Sequence, residues 1–346
     1  MLLDRERELR ERHEISFRIT GVATRRLGWI ADPDGLDQGA LLALASDDLP
    51  SLSRTEPALN GTPAPIGTKG PLAPHHPAPH NYVRDWLSAA RADVLLEATA
   101  LNVESGQPAV DHIRAALEHG AHAITANKGP IVHAYRDLRD LAAAQGKRFL
   151  FESTVMDGVP IFSLFHELPA IRLEGFHGIL NSTTNVILSE MEKGLSFDES
   201  LKKAQSLGIA ETDATHDIDG WDAAVKTAAL ITVLMDVPVK LEDISREGIR
   251  GLRPRALREA RMDGFPYKLV CRAKREGSGV RASVRPEKVM VGTPMGSTSG
   301  TSSYLCFNTD IFPVLSVFEG DPGLYATAYG MLADFVRLAR SDVFLG

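Results

Sequence analysis

The 346-residue chain has little of what several protein classes require. It contains two cysteines, Cys271 and Cys306, in no metal-like or CxxC spacing, which argues against a disulfide framework and fits a reducing cytoplasm. No apolar run reaches the length of a membrane span, and the N-terminal MLLDRERELRERHE has no apolar core like that of a signal peptide. We therefore expect a cytoplasmic protein that does not span a membrane.

Positive charge is also scarce. The formal net charge is -7 and no long basic run occurs, so nucleic acid is not the expected partner. A small anionic substrate is compatible with this balance, because an acidic protein can still contain a local basic pocket. The length allows two domains and a sizeable core.

A glycine-rich phosphate turn is missing as well. Dinucleotide folds open with a strand, G-x-G-x-x-G and a helix, but no glycine precedes Gly21, and the glycines of residues 292–300 do not lie between a strand and a helix. After the ITGVA stretch, where an acid would hold a ribose hydroxyl, stand Thr24, Arg25 and Arg26. The arginines would favour the 2′-phosphate of NADP, or they are surface charges.

The first part of the chain predicts an α/β fold. We expect a short helix over residues 2–12, a strand in ISFRITGVA with alternate apolar residues on one face, and a helix in ALLALA. From residue 94 to about 155, apolar strands alternate with helices at spacings that suit a parallel sheet. Ligands bind at the carboxyl ends of such strands, here residues 97–102, 125–130 and 152–158. The intervening residues 51–81 are rich in Pro, Gly and His and indicate an exposed loop, although the three histidines His75, His76 and His80 could bind a metal.

The stretch AETDATHDIDGWDAAVK, residues 210–226, is the strongest candidate site. Asp222 and Lys226 are four residues apart and share a face of a helix that continues as TAALITVLM, apolar on every side. A lysine at the edge of such a helix must be paired or have a lowered pKa, and either state suits proton transfer to or from a hydroxyl or carbonyl group. The loop acids before it, Glu211, Asp213, Asp217 and Asp219, do not fit an EF-hand, which needs glycine where Ile218 stands. A surface ion pair or a structural network is the alternative.

Two further segments carry candidate residues. Lys128 in TANKGP follows a strand at the point where an α/β sheet presents ligand contacts, although such lysines are often only solvated. ESTVMDGVP, residues 152–160, could hold a hard cation through oxygen ligands. On spacing alone, a tight turn whose glutamate caps backbone amides explains that segment equally well.

Together these segments resemble the homoserine dehydrogenase family. GILNSTTNVIL is similar to the family's G-I-x-N-G-T-T-N segment, and AETDATHDIDGWDAAVK to its long signature A-E-x-D-P-x-x-D-x-x-G-x-D-x-x-x-K. TANKGP and ESTVMDGVP match family segments in the same order along the chain. The resemblance runs over most of the chain and is most specific in its middle.

The resemblance implies an NADP-linked or NAD-linked interconversion of L-homoserine and L-aspartate 4-semialdehyde by a homodimer. It implies an incomplete Rossmann-like parallel-sheet domain, residues 1–150 with the C-terminal helix 320–346, and an α+β substrate-binding and dimerisation domain, residues 151–319. The implied site residues are as follows: catalytic Lys226, Lys128 and Asp222; substrate-binding Glu211, Asp217 and Asp222; cofactor-binding Thr99, Asn102, Arg25 and Arg26; and, for a monovalent cation (Na or K), Glu152 with backbone oxygens of Val155 and Asp157.

Departures from the family pattern lie mostly in the cofactor half. Family members begin with a strand and a glycine-rich turn before the helix in which this chain starts, which would leave a sheet edge exposed. Ser182 stands for a glycine, Ala214 for a proline, and FEGDPGLYATA for a glycine-rich turn. An alternative is therefore a family relative that has lost dinucleotide binding and acts as an amino-acid-binding or interaction protein, or as a cofactor-free enzyme.

Overall fold

The computed structural model describes residues 1–24, 28–45 and 82–343 of the chain. None of the helices in these ranges is long and apolar enough to cross a membrane. Arg25, Arg26 and the histidines of the Pro-rich loop lie outside the described residues.

The N-terminal section contains two helices and a hairpin. Its elements are a 3-10 helix Leu3–Arg5, α1 Glu6–His13, β1 Gly21–Thr24, β2 Gly28–Ala31 and α2 Gln38–Ala45. Both predicted helices are confirmed, but the predicted strand is wrong for residues 15–20, because β1 begins at Gly21. Among the described strands β1 pairs with β2 alone, antiparallel. Residues 19 and 20 instead accept hydrogen bonds from Leu36 and Asp32, which are coil.

A three-stranded parallel sheet follows, as predicted. The elements are α3 Tyr82–Ala90, β3 Val94–Glu97, α4 Ala109–His119, β4 His122–Thr125, α5 Gly129–Ala144 and β5 Phe149–Leu150, with strand order β3-β4-β5. Gly120 ends α4 at φ 89°, a left-handed conformation that glycine adopts without strain. Among the described strands β3 pairs only with β4, and a cavity of about 610 Å³ separates its other edge from residues 16–21.

The remainder is built on a six-stranded sheet. Its elements are a 3-10 helix Glu152–Thr154, α6 Ile161–His166, β6 Leu173–Ile179, α7 Ser182–Glu192, α8 Phe197–Ser206, α9 Thr215–Ile218, α10 Trp221–Leu234, a 3-10 helix Leu241–Asp243, β7 Ser245–Arg246, α11 Pro254–Met262, β8 Tyr267–Glu276, β9 Gly279–Lys288, α12 Pro294–Ser297, β10 Ser303–Thr309 and β11 Leu315–Glu319. The strand order is β11-β10-β6-β8-β9-β7, with only β7 and β9 parallel.

Helix α10 is the element that joins the two parts. Its residues from Ala223 to Thr232 are buried except Lys226, as its uniformly apolar sequence predicts, and it packs on β8 and β9 on one side and on α5 on the other. A last helix, α13 Leu324–Val343, returns to the N-terminal part and packs on α1, β4 and the turn at Glu152–Thr154. The division at residues 150 and 320 remains a prediction.

Candidate functional site

Asp222 and Lys226 lie in the first two turns of α10. Gly220 precedes the helix at φ 81°, and the Lys226 Nζ lies 3.1 Å from the Asp222 Oδ2. Lys226 Nζ also donates to the carbonyl oxygen of Leu180 at 2.6 Å. The Asp222 side chain is only 17% exposed, so this is a partly buried pair and not the surface ion pair that was the alternative.

Lys128 reaches the same carboxylate from the other part of the molecule. It follows β4 and begins α5, and its Nζ lies 3.3 Å from Asp222 Oδ1. Asn127 fixes this corner, since its Oδ1 accepts from Gly129 N at 2.8 Å and its Nδ2 donates to the Thr99 carbonyl at 2.9 Å. One carboxylate therefore holds two lysines, each contributed by a different part of the chain.

The lysines decide how this cluster is charged. Burial by itself favours the neutral carboxyl, but the charges of Lys226 and Lys128 and a hydrogen bond from Asn181 outweigh it, so the pKa of Asp222 lies below its usual value. Burial would likewise lower the pKa of Lys226, but the Asp222 carboxylate overcomes this and raises it. Of the two states that the sequence left open, the structure therefore has the paired, protonated ammonium.

Asp217 lies beside this pair. Its Oδ1 accepts a hydrogen bond from Asn181 Nδ2 at 2.6 Å, and the same amide donates to Asp222 Oδ2 at 3.0 Å. Burial raises the pKa of Asp217, and the Asp222 charge raises it further. Glu211, by contrast, is exposed on the loop after α8, and no hydrogen bond or ion pair in the described ranges joins its side chain to the cluster.

Two residues of the site were missed by sequence reasoning. Asn181 stands in the GILNSTTN segment directly before α7, a typical N-cap signal, but no role was assigned to it. Glu319, at the end of β11, is close enough to Asp157 and Lys226 for both charges to affect its pKa. Its Oε2 is buried with no hydrogen-bond partner among the described residues. No local pattern singles out Glu319, because its proximity to Lys226 is purely tertiary.

The predicted cofactor residues lie on the loop after β3. Thr99 donates to the buried Glu97 through its backbone N, at 2.8 Å, and through its hydroxyl. Asn102 Oδ1 accepts from the backbone N of Glu104 and of Ser105, both at 3.0 Å. The loop is largely exposed and is tied to Asn127, the neighbour of Lys128, which places it beside the lysine cluster. The described residues contain no glycine-rich turn between a strand and a helix for the pyrophosphate.

At the predicted cation site, the Glu152 side chain accepts hydrogen bonds from two backbone amides. Its carboxylate oxygens accept from the backbone N of Phe162 at 2.7 Å and of Ser163 at 2.9 Å, which caps α6. This is the capping alternative that the sequence left open. Asp157 Oδ1 accepts from Thr327 Oγ1 at 2.6 Å, and Val155 is fully buried. In the described part of the chain, no three His, Cys, Asp or Glu side chains are grouped so that they could hold a metal.

The departures from the family pattern are accommodated locally. The Ser182 hydroxyl donates to the Thr301 carbonyl at 2.8 Å, and Ala214 is buried. In FEGDPG, Asp321 adopts φ 44°, and its backbone N donates to Ser302 Oγ at 3.2 Å.

Comparison with known proteins shows the same similarity over both parts. A family model described as homoserine dehydrogenase matches residues 160–336, and one described as the NAD binding domain of homoserine dehydrogenase matches residues 72–152. The chain is 32% identical to an NAD(+)-dependent homoserine dehydrogenase of Pseudomonas canavaninivorans, over 99% of this chain and 92% of that protein. It is 36% identical to a homoserine dehydrogenase of Methanocaldococcus jannaschii, over 74% of this chain and 76% of that one.

Solved structures give the same result. A putative homoserine dehydrogenase from Archaeoglobus fulgidus has a TM-score of 0.77 and 29% identity, over 97% of this chain and 93% of that one. A hyperthermophilic archaeal homoserine dehydrogenase in complex with NADPH has a TM-score of 0.65 and 27% identity, over 75% of each chain. The chain belongs to the homoserine dehydrogenase family, whose members are oxidoreductases, and it carries that family's nicotinamide-dinucleotide-binding domain.

Proposed function

We propose that the chain interconverts L-homoserine and L-aspartate 4-semialdehyde with NADP or NAD, through Lys226, Lys128 and Asp222. The observation that carries this proposal is the pair of lysines on the single carboxylate of Asp222. We assign the neighbouring loop with Thr99 and Asn102 to the nicotinamide end of the cofactor. The dinucleotide, when bound, supplies or accepts the hydride at the carbon that carries the oxygen. The chain's own residues then handle the proton and the position of the substrate.

The protonation of Lys226 sets its role. Because Asp222 raises the pKa of Lys226, its ammonium is ready to donate a proton to the aldehyde oxygen during reduction. In the direction of homoserine oxidation, the neutral amine of Lys226, once its proton has passed to solvent, takes the hydroxyl proton directly or through water. Lys128 orients the oxygen from the opposite side, and Asp222 holds both lysines in place.

The amino-acid end of the substrate is assigned to the acids of the loop before α10. Asp217 has a pKa raised mainly by burial, and a substrate ammonium beside it would stabilise its ionised form. Glu211 is assigned to the same ammonium group by its place in the family signature. Its exposed position is compatible with contact from the solvent side.

Three finer assignments belong to the proposal. NADP is the prediction from Arg25 and Arg26. Both nucleotides are to be assayed, because the Pseudomonas relative is named for NAD and the hyperthermophilic archaeal structure contains NADPH. A monovalent cation at residues 152–157 would use the backbone oxygens of Val155 and Asp157, since the Glu152 carboxylate caps α6. A cytoplasmic location fits the two free, buried cysteines.

We also propose a homodimer formed through the face of the six-stranded sheet that α7 and α10 do not cover. A separate cluster of buried apolar residues lies there, including Ile179, Val270 and Cys306, and Cys306 lines a cavity together with Val314, which is 69% exposed. Apolar surface that a fold leaves exposed is typical of association sites. A second copy would cover this surface.

The test of the reaction is direct. The chain should reduce NADP or NAD with L-homoserine, and Lys226→Ala should abolish turnover with little change in cofactor affinity measured by NADPH fluorescence. An unchanged turnover number in Lys226→Ala would refute the role of Lys226. Failure of both nucleotides to bind at millimolar concentration would instead favour a relative without dinucleotide binding, an alternative that no observation here favours.

A further inference from the structure

A second cavity, of about 680 Å³, contains none of the residues assigned to the reaction. It lies between the C-terminal half of α7, the helix α11 and the turn around α12. Its volume is within the range of small-molecule sites. Two charged residues line its wall, Lys268 and Glu192, and each has hydrogen-bonding capacity that the surrounding described residues do not use.

Lys268 is a buried cation. The residue is 3% exposed, and its Nζ donates to Asn185 Oδ1 at 2.9 Å and to the Thr298 carbonyl at 2.7 Å. An ammonium group has three N–H donors, so one remains. Among the described residues no carboxylate forms an ion pair with Lys268. Burial lowers its pKa to about 8, which still leaves it mostly charged at neutral pH.

Glu192 is a largely buried acid that lacks a hydrogen-bond donor. Its side chain is 12% exposed, its Oε1 is buried without a hydrogen-bond partner among the described residues, and its Oε2 lies 3.9 Å from Arg261 Nε. Burial raises the pKa of Glu192. The neighbouring Glu190 is a useful contrast, because Lys193 and Lys203 pair with it at 2.7 and 2.6 Å. The fold therefore neutralises one acid of this helix and leaves the other without a close partner.

We propose that this cavity binds a small zwitterion of the amino-acid class, with its carboxylate at Lys268 and its ammonium at Glu192. A simple anion would accept the third hydrogen bond of Lys268 but would leave Glu192 Oε1 without a donor, and a simple cation would do the reverse. A ligand that carries both groups satisfies both residues, and buried charges are stable when each is paired. Arg261 and the Ser299 hydroxyl, which line the same cavity, are further donors for the carboxylate.

Asn185, which binds Lys268, lies one turn of α7 after Asn181, which binds Asp217 and Asp222. Asn185 accepts from Lys268, and its backbone N donates to the Asn181 carbonyl at 3.3 Å. The Asn181 amide in turn donates to Asp217 and Asp222. A ligand that binds Lys268 therefore affects α7, because Lys268 binds Asn185 of that helix and its N-cap, Asn181, contacts the reaction site. We expect such a ligand to change the KM for homoserine. Binding itself does not depend on the proposed reaction; only this effect does.

Isothermal titration calorimetry with the twenty protein L-amino acids tests the binding. Because an amino acid could also enter the reaction site, each is titrated into the wild type, Glu192→Gln, Lys268→Met and Asp217→Asn, with the exposed Glu259→Gln as a charge-matched control. We expect at least one amino acid to bind the wild type, Asp217→Asn and Glu259→Gln alike, and to bind Glu192→Gln about tenfold or more weakly. Glu192→Gln is the principal variant, since Lys268→Met removes two internal hydrogen bonds and could unfold the chain.

The matching analogues refine the result. For an amino acid that binds, such as L-leucine, 4-methylpentanoate and 3-methylbutylamine each lack one of the two charges and should bind more weakly. Binding that is lost in Asp217→Asn but kept in Glu192→Gln would place the ligand in the reaction site and overturn the proposal. Absence of any amino-acid binding outside that site would overturn it too, whereas failure of the dehydrogenase assay alone would not.

Discussion

At the scale of single residues, both the oxygen and the nitrogen of the Asn181 side-chain amide form hydrogen bonds. Its Oδ1 accepts from Thr184 N and Oγ1, both at 2.8 Å, which caps α7, and its Nδ2 bridges Asp217 and Asp222. Hydrogen bonds to charged groups contribute roughly 1.5–3 kcal/mol each, so we expect Asn181→Ala to lower kcat/KM for homoserine about 10- to 100-fold.

Asn181→Ser is the matched control for that variant. Serine is also a good N-cap, so this variant should keep the thermal stability of α7 while it loses the amide donors. Its activity should therefore stay low, and the pH profile of kcat/KM should shift as Asp217 loses the amide that favours its ionised form. Wild-type activity in Asn181→Ser would show that Asn181 serves only as a cap.

Glu319 predicts a pH dependence. Burial, followed by the nearby Asp157, raises the pKa of Glu319 to about 7, while Lys226 lowers it. Because the folded pKa lies above the ordinary value of 4.5, ionisation opposes folding, and stability is lost as the pH rises from about 4.5 through about 7. Glu319→Gln should therefore have a higher Tm than the wild type at pH 8, and the difference should vanish near pH 4, below the ordinary pKa of the carboxyl group. An equal difference at both pH values, measured by thermal unfolding, would contradict this.

Some residues of the site carry a local signal in the sequence, and others do not. The spacing of Asp222 and Lys226 on an apolar helix, and the place of Lys128 after a strand, are local signals that predicted chemistry, and the structure brings these three together. Asn181 carried a capping signal but no hint of its two acidic partners. Glu319 carried none, because its neighbours are about 90 and 160 positions away in the chain.

At the scale of secondary structure elements, Glu152 joins a turn to a helix. No side chain near Pro160 caps α6, and the Glu152 carboxylate provides the acceptors from ten residues upstream. Losing a helix cap costs about 1–2 kcal/mol, so Glu152→Gln should lower the Tm by several degrees.

The same variant separates the cap from a cation site. If the carboxylate only caps α6, the loss of stability should be equal in sodium, in potassium and in a buffer of organic cations, as followed by differential scanning fluorimetry. A loss seen only when sodium or potassium is present would show that Glu152 is a cation ligand instead.

Elements with a strong internal pattern were predicted correctly, and elements that depend on neighbours were not. Helix α10 follows from its apolar pattern alone. Strands were predicted as far as about residue 155, but β5 ends at Leu150, and the turn after it places the Glu152 carboxylate at the start of α6. Residues 15–20 alternate in the manner of a strand, yet their apolar side chains pack on α13, and Phe17 contacts Phe335 edge-to-face at 6.2 Å.

At the scale of the whole molecule, the site exists only where the two parts meet. Lys128 comes from the parallel-sheet part and Lys226 from the part built on the large sheet, and the helix pair α5 and α10 holds them on one carboxylate. Local patterns could not predict that these two lysines converge. The family resemblance supplied that pairing, since it names segments that converge regardless of their distance in sequence.

The last prediction concerns how two copies assemble. Val314 is 69% exposed beside the apolar cluster on the uncovered face of the large sheet, and a charge placed there would be buried without a partner in a dimer. We expect the wild type to have twice the mass of one chain in size-exclusion chromatography with light scattering, and Val314→Asp to shift toward the monomer. Met262→Asp is the control, because Met262 is 86% exposed on α11 and lies outside this face. A monomeric wild type, or an equal shift in both variants, would rule this face out as the dimer interface. If Val314→Asp is monomeric and keeps its activity, the reaction site is complete within one chain.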